Sequence, residues 1–299
     1  MKRKKVLLLI NLSAGVGSAK TKLTSIVTEL ARRGCEVTVY PIIPEIGLTS
    51  ERIIADTVGR FDVIACCGGD GTLNHVINGM LNNHVTAPIG YIPSGSTNDF
   101  SRNINGDRTL EELCKVIAGD DLFTYDVGKL KDRYFNYVAG FGAFTKVSYS
   151  TDQNWKNLLG YGAYVLNSIA TLPENLSQDI GAVITHDGIT EKGEYIFCGV
   201  TNSTSIGGMQ TKLLDKAQLN DGKFEVILIR KPNNLIELNG IIQGLTSGNT
   251  KNTYVTSFQT SSITFHTNQP VSWTVDGEFG GTYTDAHIDI VPSAINICV

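Results

Sequence analysis

The sequence predicts two domains, an α/β domain built on a parallel sheet followed by an antiparallel β domain. Three observations predict this. Over the first ~125 residues short apolar runs alternate with helical patterns, the layout of a sheet covered by helices on both faces. The run at 61–67 is apolar nearly throughout, as a strand buried on both faces requires. After Tyr125 the segments become rich in Tyr, Phe, Val and Thr, separated by turns such as His186-Asp187-Gly188 and Asn220-Asp221-Gly222. The expected boundaries are 1–125 for the α/β domain and 126–291 for the β domain.

The elements follow in order. Residues 6–10 form a five-residue apolar strand. Residues 18–33 read as a helix, with Leu23, Ile26, Val27 and Leu30 at helical spacing and Gly34 at the end. A strand at 36–40 and a helix at 50–58, stopped by Gly59, come next. Then follow a strand at 61–67, a helix at 72–81, a strand at 88–92 and a helix at 110–118. In the second domain strands are expected at 126–130, 134–139, 180–185, 195–201, 224–229, 262–266 and 271–275, with helices at 155–172 and 234–244.

Composition narrows the function classes. A net charge of −4 and the lack of a basic stripe argue against nucleic acid. The one basic cluster, Lys2-Arg3-Lys4-Lys5, reads as a solvated start to the first strand. Six scattered cysteines without a C-x-x-C pair match a reducing cytosol rather than zinc or disulfides. The apolar run 6–10 is too short for a signal peptide, and no run approaches a membrane span. A cytoplasmic enzyme is expected; a lipid substrate would be met at the inner face of the membrane.

The chemistry concentrates in four loops. Gly68-Gly69-Asp70-Gly71-Thr72-Leu73-Asn74 follows a buried strand and opens a helix. Unpaired N–H groups and the positive end of the helix dipole favour phosphate there, and the glycines allow close backbone approach. It is neither a Walker loop nor a dinucleotide fingerprint. Asp70 would repel a polyphosphate unless a cation lies between, which implies magnesium. Thr72 fits a helix cap or a phosphate contact. The second loop, Pro93-Ser94-Gly95-Ser96-Thr97-Asn98-Asp99-Phe100-Ser101-Arg102, offers hydroxyls, Asn98, the carboxylate of Asp99 and the cation of Arg102, but resembles any polar loop in composition. In the third, Asp276-Gly277 is a hairpin signal. Its functional reading sends Asp276 and Glu278 into a cleft, one to take a hydroxyl proton and the other to help hold metal or water. The fourth, Gln218 to Lys223, reads equally as an Asx turn and as a metal-binding turn.

In this order the loops resemble the diacylglycerol kinase catalytic family, bacterial soluble lipid kinases related to sphingosine and ceramide kinases, over nearly the whole chain. The resemblance rests on Asn11-Leu-Ser-Ala-Gly, GGDGTLN at 68–74, PSGSTNDFSR at 93–102, LNDGKFEV at 219–226 and VDGE at 275–278. It implies an N-terminal α/β nucleotide domain of the kind shared with NAD kinases, a C-terminal antiparallel β-sandwich, an active site between them, and a C-terminal segment (292–299) that returns to the first domain. ATP is the implied co-substrate and a diacylglycerol-like lipid the implied acceptor. Asn11, Gly68 to Asn74 and Ser96 match nucleotide-binding positions, with Asn98 beside them. Glu278 matches the proton acceptor, with Asp276 close by; Asp70 and Asp99 match carboxylates that hold catalytic magnesium through waters. Gln218, Asp221 and Lys223 match a structural magnesium turn in which only Asp221 contributes a side chain. A homodimer is left open.

Three departures stand out. His75 follows the signature where the family often has Glu, the metal turn lacks a preceding proline, and Ser96 stands where Thr is common. The residues at 155–172, with Leu158, Leu159, Tyr164, Val165 and Ile169, form either an acyl-pocket lining or ordinary core. Two rival readings stand beside the lipid kinase. An NAD kinase-like enzyme shares GGDGT but carries an Asn-Glu motif instead of PSGSTNDF. A non-catalytic nucleotide-binding regulator would have no use for intact Asp70, Asp99, Asp276 and Glu278.

Overall fold

The computed structural model describes residues 3–14, 18–95, 98–104, 106–142, 180–206, 209–210, 212–215, 217–248 and 253–299. The chain divides into two compact units, Met1–Val127 with Pro292–Val299, and Gly128–Val291.

The first unit runs β1 (Lys4–Ile10), α1 (Ser18–Arg32), β2 (Cys35–Pro41), α2 (Ser50–Asp56), β3 (Val63–Gly68), α3 (Asp70–Asn82), β4 (Ile89–Pro93), α4 (Asp99–Ile104) and α5 (Leu110–Ala118). Its strands lie in the order β2-β1-β3-β4 and pair in parallel, with Val6 opposite both Val37 and Val63, and Ile64 opposite Ile89. Ile297, near the C-terminus, also pairs in parallel with Ile89. Side chains alternate across a strand, so both faces of this sheet can be followed along β1. Val6, Leu8 and Ile10 pack with Ile26 and Leu30 of α1 and with Leu113 and Ile117 of α5. Leu7 and Leu9 point the other way and are equally buried. Helices α2 and α3 bury Ile53, Ile54, Leu73, Val76, Ile77 and Met80. They pack so closely that a Cβ on Gly79 would lie 2.9 Å from the Glu51 Cα.

The second unit contains β6 (Arg133–Phe135), β7 (Val138–Gly142), β8 (Ile180–His186), β9 (Ile189–Thr201), β10 (Ser205–Ile206), β11 (Met209–Gln210), β12 (Phe224–Arg230), α6 (Leu235–Ser247), β13 (Val255–Thr260) and β14 (Ser262–Val275). Two further strands, β5 (Leu122–Leu130) and β15 (Glu278–Cys298), carry the chain across the unit divisions. Strands β13-β12-β9-β7-β14-β15 follow one another as antiparallel neighbours, with β8 against β9 and β14. The core is aromatic: Phe141 meets Trp273 edge-on at 4.9 Å between ring centroids, and Phe265 meets Trp273 at 5.1 Å. A smaller cluster joins Ile227 and Ile229 of β12 to Leu213, Leu214 and, from α6, Ile241 and Leu245.

Several expected elements differ. The single strand expected at 134–139 is broken at Asn136 and Tyr137, whose N–H groups turn to a side chain instead of a ladder. The two strands expected at 262–266 and 271–275 are one, β14, with a register irregularity between His266 and Val271 around Pro270. The helix expected from Thr72 starts at Asp70, where a carboxylate complements the positive helix end. Strands β13 and β15 and the short helix α4 were not anticipated. β15 contains Gly280, Gly281 and Pro292, which read locally as loop; at the glycines, pairing with β14 over 278–289 overrides that signal. The helix expected at 155–172 lies outside the described residues.

Candidate functional site

In the first unit three loops at the strand ends are tied together by short polar contacts. The Asn11 N–H donates to the Cys67 carbonyl at 3.0 Å. Its side-chain NH2 donates to the Thr72 hydroxyl at 3.1 Å, and its side-chain oxygen accepts the Ser13 N–H. Ser94 N–H donates to the Gly68 carbonyl at 2.8 Å, and its hydroxyl lies 3.4 Å from the Cys67 thiol. Asn98, at φ 51°, closes the second loop on itself by accepting the Gly95 N–H and donating to the Gly95 carbonyl, both at 2.8 Å. The first and second loops touch backbone to backbone: a Cβ on Gly95 would lie 2.6 Å from the Gly69 Cα. Asp70, 9% exposed, bridges the loops by accepting the Phe100 N–H at 3.3 Å.

Gly69 occupies the N-cap of α3 and offers no side-chain cap. The first-turn N–H groups of Gly71 and Thr72 therefore have no intrahelical acceptor, while the Leu73 N–H already reaches the Gly69 carbonyl. The arrangement suits an anion at the start of α3. A cation not singled out from the sequence stands nearby, since Lys22 of α1 donates to the Pro93 carbonyl at 3.4 Å. In the sequence Lys22 looks like any solvated helix lysine.

In the second unit Asp276 and Gly277 form a two-residue hairpin between β14 and β15, with φ of 47° and 89°. Asp276 is 3% exposed, and its carboxylate accepts three backbone N–H groups, from Asn136 at 2.7 Å and from Tyr137 and Val138 at 3.0 Å. Glu278 beside it is exposed. In the turn at 218–223, Asp221 accepts the Lys223 N–H at 3.0 Å, Gly222 has φ 74°, and Asn202 donates to the Leu219 carbonyl at 3.3 Å. Gln218 is exposed.

Residues 5–130 match the model of the diacylglycerol kinase catalytic domain, and residues 138–299 match that of the YegS C-terminal NAD kinase beta sandwich-like domain. The chain is 32% identical, over 96% of its length and 92% of theirs, to proteins called diacylglycerol kinase from Staphylococcus aureus strains bovine RF122 / ET3-1 and MRSA252. It belongs to the diacylglycerol kinase family. Two solved structures share the fold. A putative diacylglycerol kinase from Bacillus anthracis str. Sterne matches at TM-score 0.80 and 24% identity, covering 100% of this chain and 96% of that one. Another from the same organism matches at TM-score 0.79 and 22% identity, covering 100% and 98%. The architecture is thus a diacylglycerol kinase catalytic domain followed by a β-sandwich-like domain.

Several residues of this diacylglycerol kinase family member stand differently from the sequence reading. Thr72 is not the cap of α3; it lies in the first turn and receives the Asn11 amide. The Leu73 side chain is fully buried core, so only its backbone borders the loop. Asn74 is buried, its side-chain oxygen accepting the Asn78 amide at 3.2 Å. Asp276 is a turn-building residue, because its carboxylate is committed to three N–H donors. His75 is bonded to Glu51, tying α3 to α2 on the helix face. Burial opposes ionisation of Glu51, but the His75 hydrogen bond and charge leave its pKa below the ordinary value. Arg102 is exposed on α4. Ser96 lies outside the described residues, as do the side chain of Asp99 and residues 155–172. All six cysteines are buried and free, and burial pushes the Cys66 and Cys198 thiols well up, which leaves them poor nucleophiles.

Donor chemistry tests the fit to magnesium. Asp70 supplies the hard oxygen that magnesium prefers. Among the described residues no group of three or more His, Cys, Asp or Glu could hold a metal. Besides Asp70, nucleotide and water would supply oxygen ligands to a cation at the phosphate loop.

Proposed function

We propose that this protein transfers the γ-phosphoryl group of ATP to the hydroxyl of a diacylglycerol-like lipid. The observation that carries the reading is the junction of the first two loops. Gly69 and Gly95 are in backbone contact and Asp70 bridges to Phe100, beside open N–H groups of α3. That is a seat for polyphosphate, in a chain 32% identical to proteins called diacylglycerol kinase.

In this reading Asn11, Gly68 to Thr72, Ser96 and Asn98 shape the nucleotide seat, with backbone N–H groups turned to phosphate. Asp70 and Asp99 would hold magnesium through waters, and it would supply positive charge to offset the phosphates. Glu278 takes the hydroxyl proton as the acceptor oxygen bonds to the γ-phosphorus and the bond to the departing ADP oxygen breaks. Asp276 positions Glu278 by fixing the hairpin on which it stands. Gln218, Asp221 and Lys223 form a second cation turn remote in sequence from the phosphate loop. Among the described residues no helix is long and apolar enough to cross a membrane; the proposed acceptor is reached at the membrane surface.

The test is incubation with γ-labelled ATP and either diacylglycerol, a total lipid extract or NAD. Label is expected in a lipid phosphomonoester. Asp70→Asn is expected to keep the fold, read by circular dichroism, and to lower turnover by about two to three orders of magnitude. Wild-type turnover in that variant, or label entering NAD alone, overturns the reading.

A further inference from the structure

Glu225 is a charged residue in a place that calls for a reason. It lies on β12, directly opposite Thr201 of β9 and Gln259 of β13. It is 4% exposed. Its carboxylate accepts one hydrogen bond, from the Gln259 amide at 2.9 Å to Oε1, and its Oε2 has no hydrogen-bond partner. On the same face of β12 follow Ile227 and Ile229, which pack on Leu213 and Leu214. A carboxylate turned to such surroundings with one oxygen unmet is strongly disfavoured as an anion unless a cation or further donors reach it.

The neighbouring turn supplies a setting for a cation. Residues 218–223 lead directly into β12. The turn is stapled beside Glu225 by Asn202, which donates to the Leu219 carbonyl at 3.3 Å and follows Thr201, the cross-strand partner of Glu225. Asp221 lies close enough for its charge to act on Glu225. Two carboxylates with turn carbonyls and water are an all-oxygen donor set, the kind that magnesium and calcium prefer over softer metals. Lys223 contributes its backbone N–H to Asp221 here, and its side chain is exposed.

We propose that the Glu225 carboxylate anchors a divalent cation held at the 218–223 turn, so that the cation is fastened to the sheet and not only to a surface loop. The inference rests on the reading of that turn as a cation site and adds to it the one ligand that comes from the buried face of β12. Bound there, directly or through one water, the cation satisfies Oε2 and ties the turn to β12 and, through Gln259, to β13. The consequence is structural: cation binding stiffens the second unit whether or not nucleotide is present.

The experiment is thermal unfolding of the full chain without nucleotide, in EDTA and then across a magnesium titration. Manganese paramagnetic broadening provides a second readout. Wild type, Glu225→Gln and Asp221→Ala are compared. Saturating magnesium is expected to raise the wild-type midpoint by about 5 °C. Glu225→Gln should match or exceed wild type in EDTA, which shows that it folds, and should weaken cation binding about tenfold or more. Asp221→Ala should lose the shift as well. If Asp221→Ala loses the shift while Glu225→Gln keeps it at wild-type affinity, the turn binds a cation and the role of Glu225 is overturned. If wild type shows no shift, or all three proteins show the same one, the turn reading itself falls and the proposal with it.

Discussion

Asp276→Ala separates a residue that builds the hairpin from one that moves a proton. The substitution removes the acceptor of three N–H groups, at 2.7, 3.0 and 3.0 Å, two of them buried and the Val138 N–H partly so. Leaving a buried donor unmet costs about 1–3 kcal/mol. Water can reach the Val138 N–H, so the two buried donors carry most of the penalty, about 3–4 kcal/mol together. Position 276 also has φ 47°, a left-handed conformation that Asp and Asn tolerate and that costs Ala about 1 kcal/mol. Release of a buried charge offsets part of this, leaving a net loss of about 4 kcal/mol. At about 2–4 °C per kcal/mol for a unit of this size, the midpoint of the second unit should fall by about 10 °C. Asp276→Asn keeps an acceptor and the left-handed preference and should lose roughly half as much. The assay is thermal unfolding followed by tryptophan fluorescence, since Trp273 is in this core. Glu278→Gln is the control: the residue is exposed, so its midpoint should stay within about 1 °C while phosphoryl transfer is lost. An Asp276→Ala midpoint equal to wild type would refute the reasoning, because the three contacts would then contribute nothing.

Two further outcomes follow from the same geometry. Gly95→Ala would press a methyl to 2.6 Å from the Gly69 Cα; nucleotide affinity by calorimetry should fall at least about tenfold with little change in the midpoint of the second unit, and unchanged affinity would remove the loop contact from the argument. Glu225 has a pKa pushed up to about 7, first by burial, then by the Asp221 charge, against the Gln259 hydrogen bond. Its folded value exceeds the ordinary 4.5, so the stability it contributes is complete below about pH 4.5 and fades as pH rises through about 7. In EDTA, wild type should lose about 2 kcal/mol relative to Glu225→Gln between pH 5 and pH 8, after allowance for residual hydration. Parallel pH profiles for the two proteins would contradict this.

Much of the first unit was legible because its signals are local. Helix α5 follows its expected limits, with Thr109 and Glu112 forming a capping box that the string Thr-Leu-Glu-Glu announces. Strand β3 was legible because burial on both faces leaves an unbroken apolar run. The second unit was harder. Strand β15 carries glycines and a proline whose local preference is for turns, and pairing with β14 over 278–289 and of Ile297 with Ile89 keeps it extended. The role of His75 was equally hidden, since Glu51 stands 24 positions away on another helix.

The sequence by itself determined the chemistry available to this protein. It set glycines and a carboxylate at a strand-to-helix junction, a second polar loop, and Asp-Gly turns in a β-rich second half. These are local in the chain, so turn preference and helix-end electrostatics suffice to read them. Tertiary structure decided how each carboxylate is used. Asp276 is taken up by the N–H groups of residues about 140 positions earlier, Asp70 joins two loops through Phe100, and Glu225 is buried between β9 and β13 with an oxygen unmet. A carboxylate's role depends on which donors and charges surround it, and folding brings those together from distant parts of the chain.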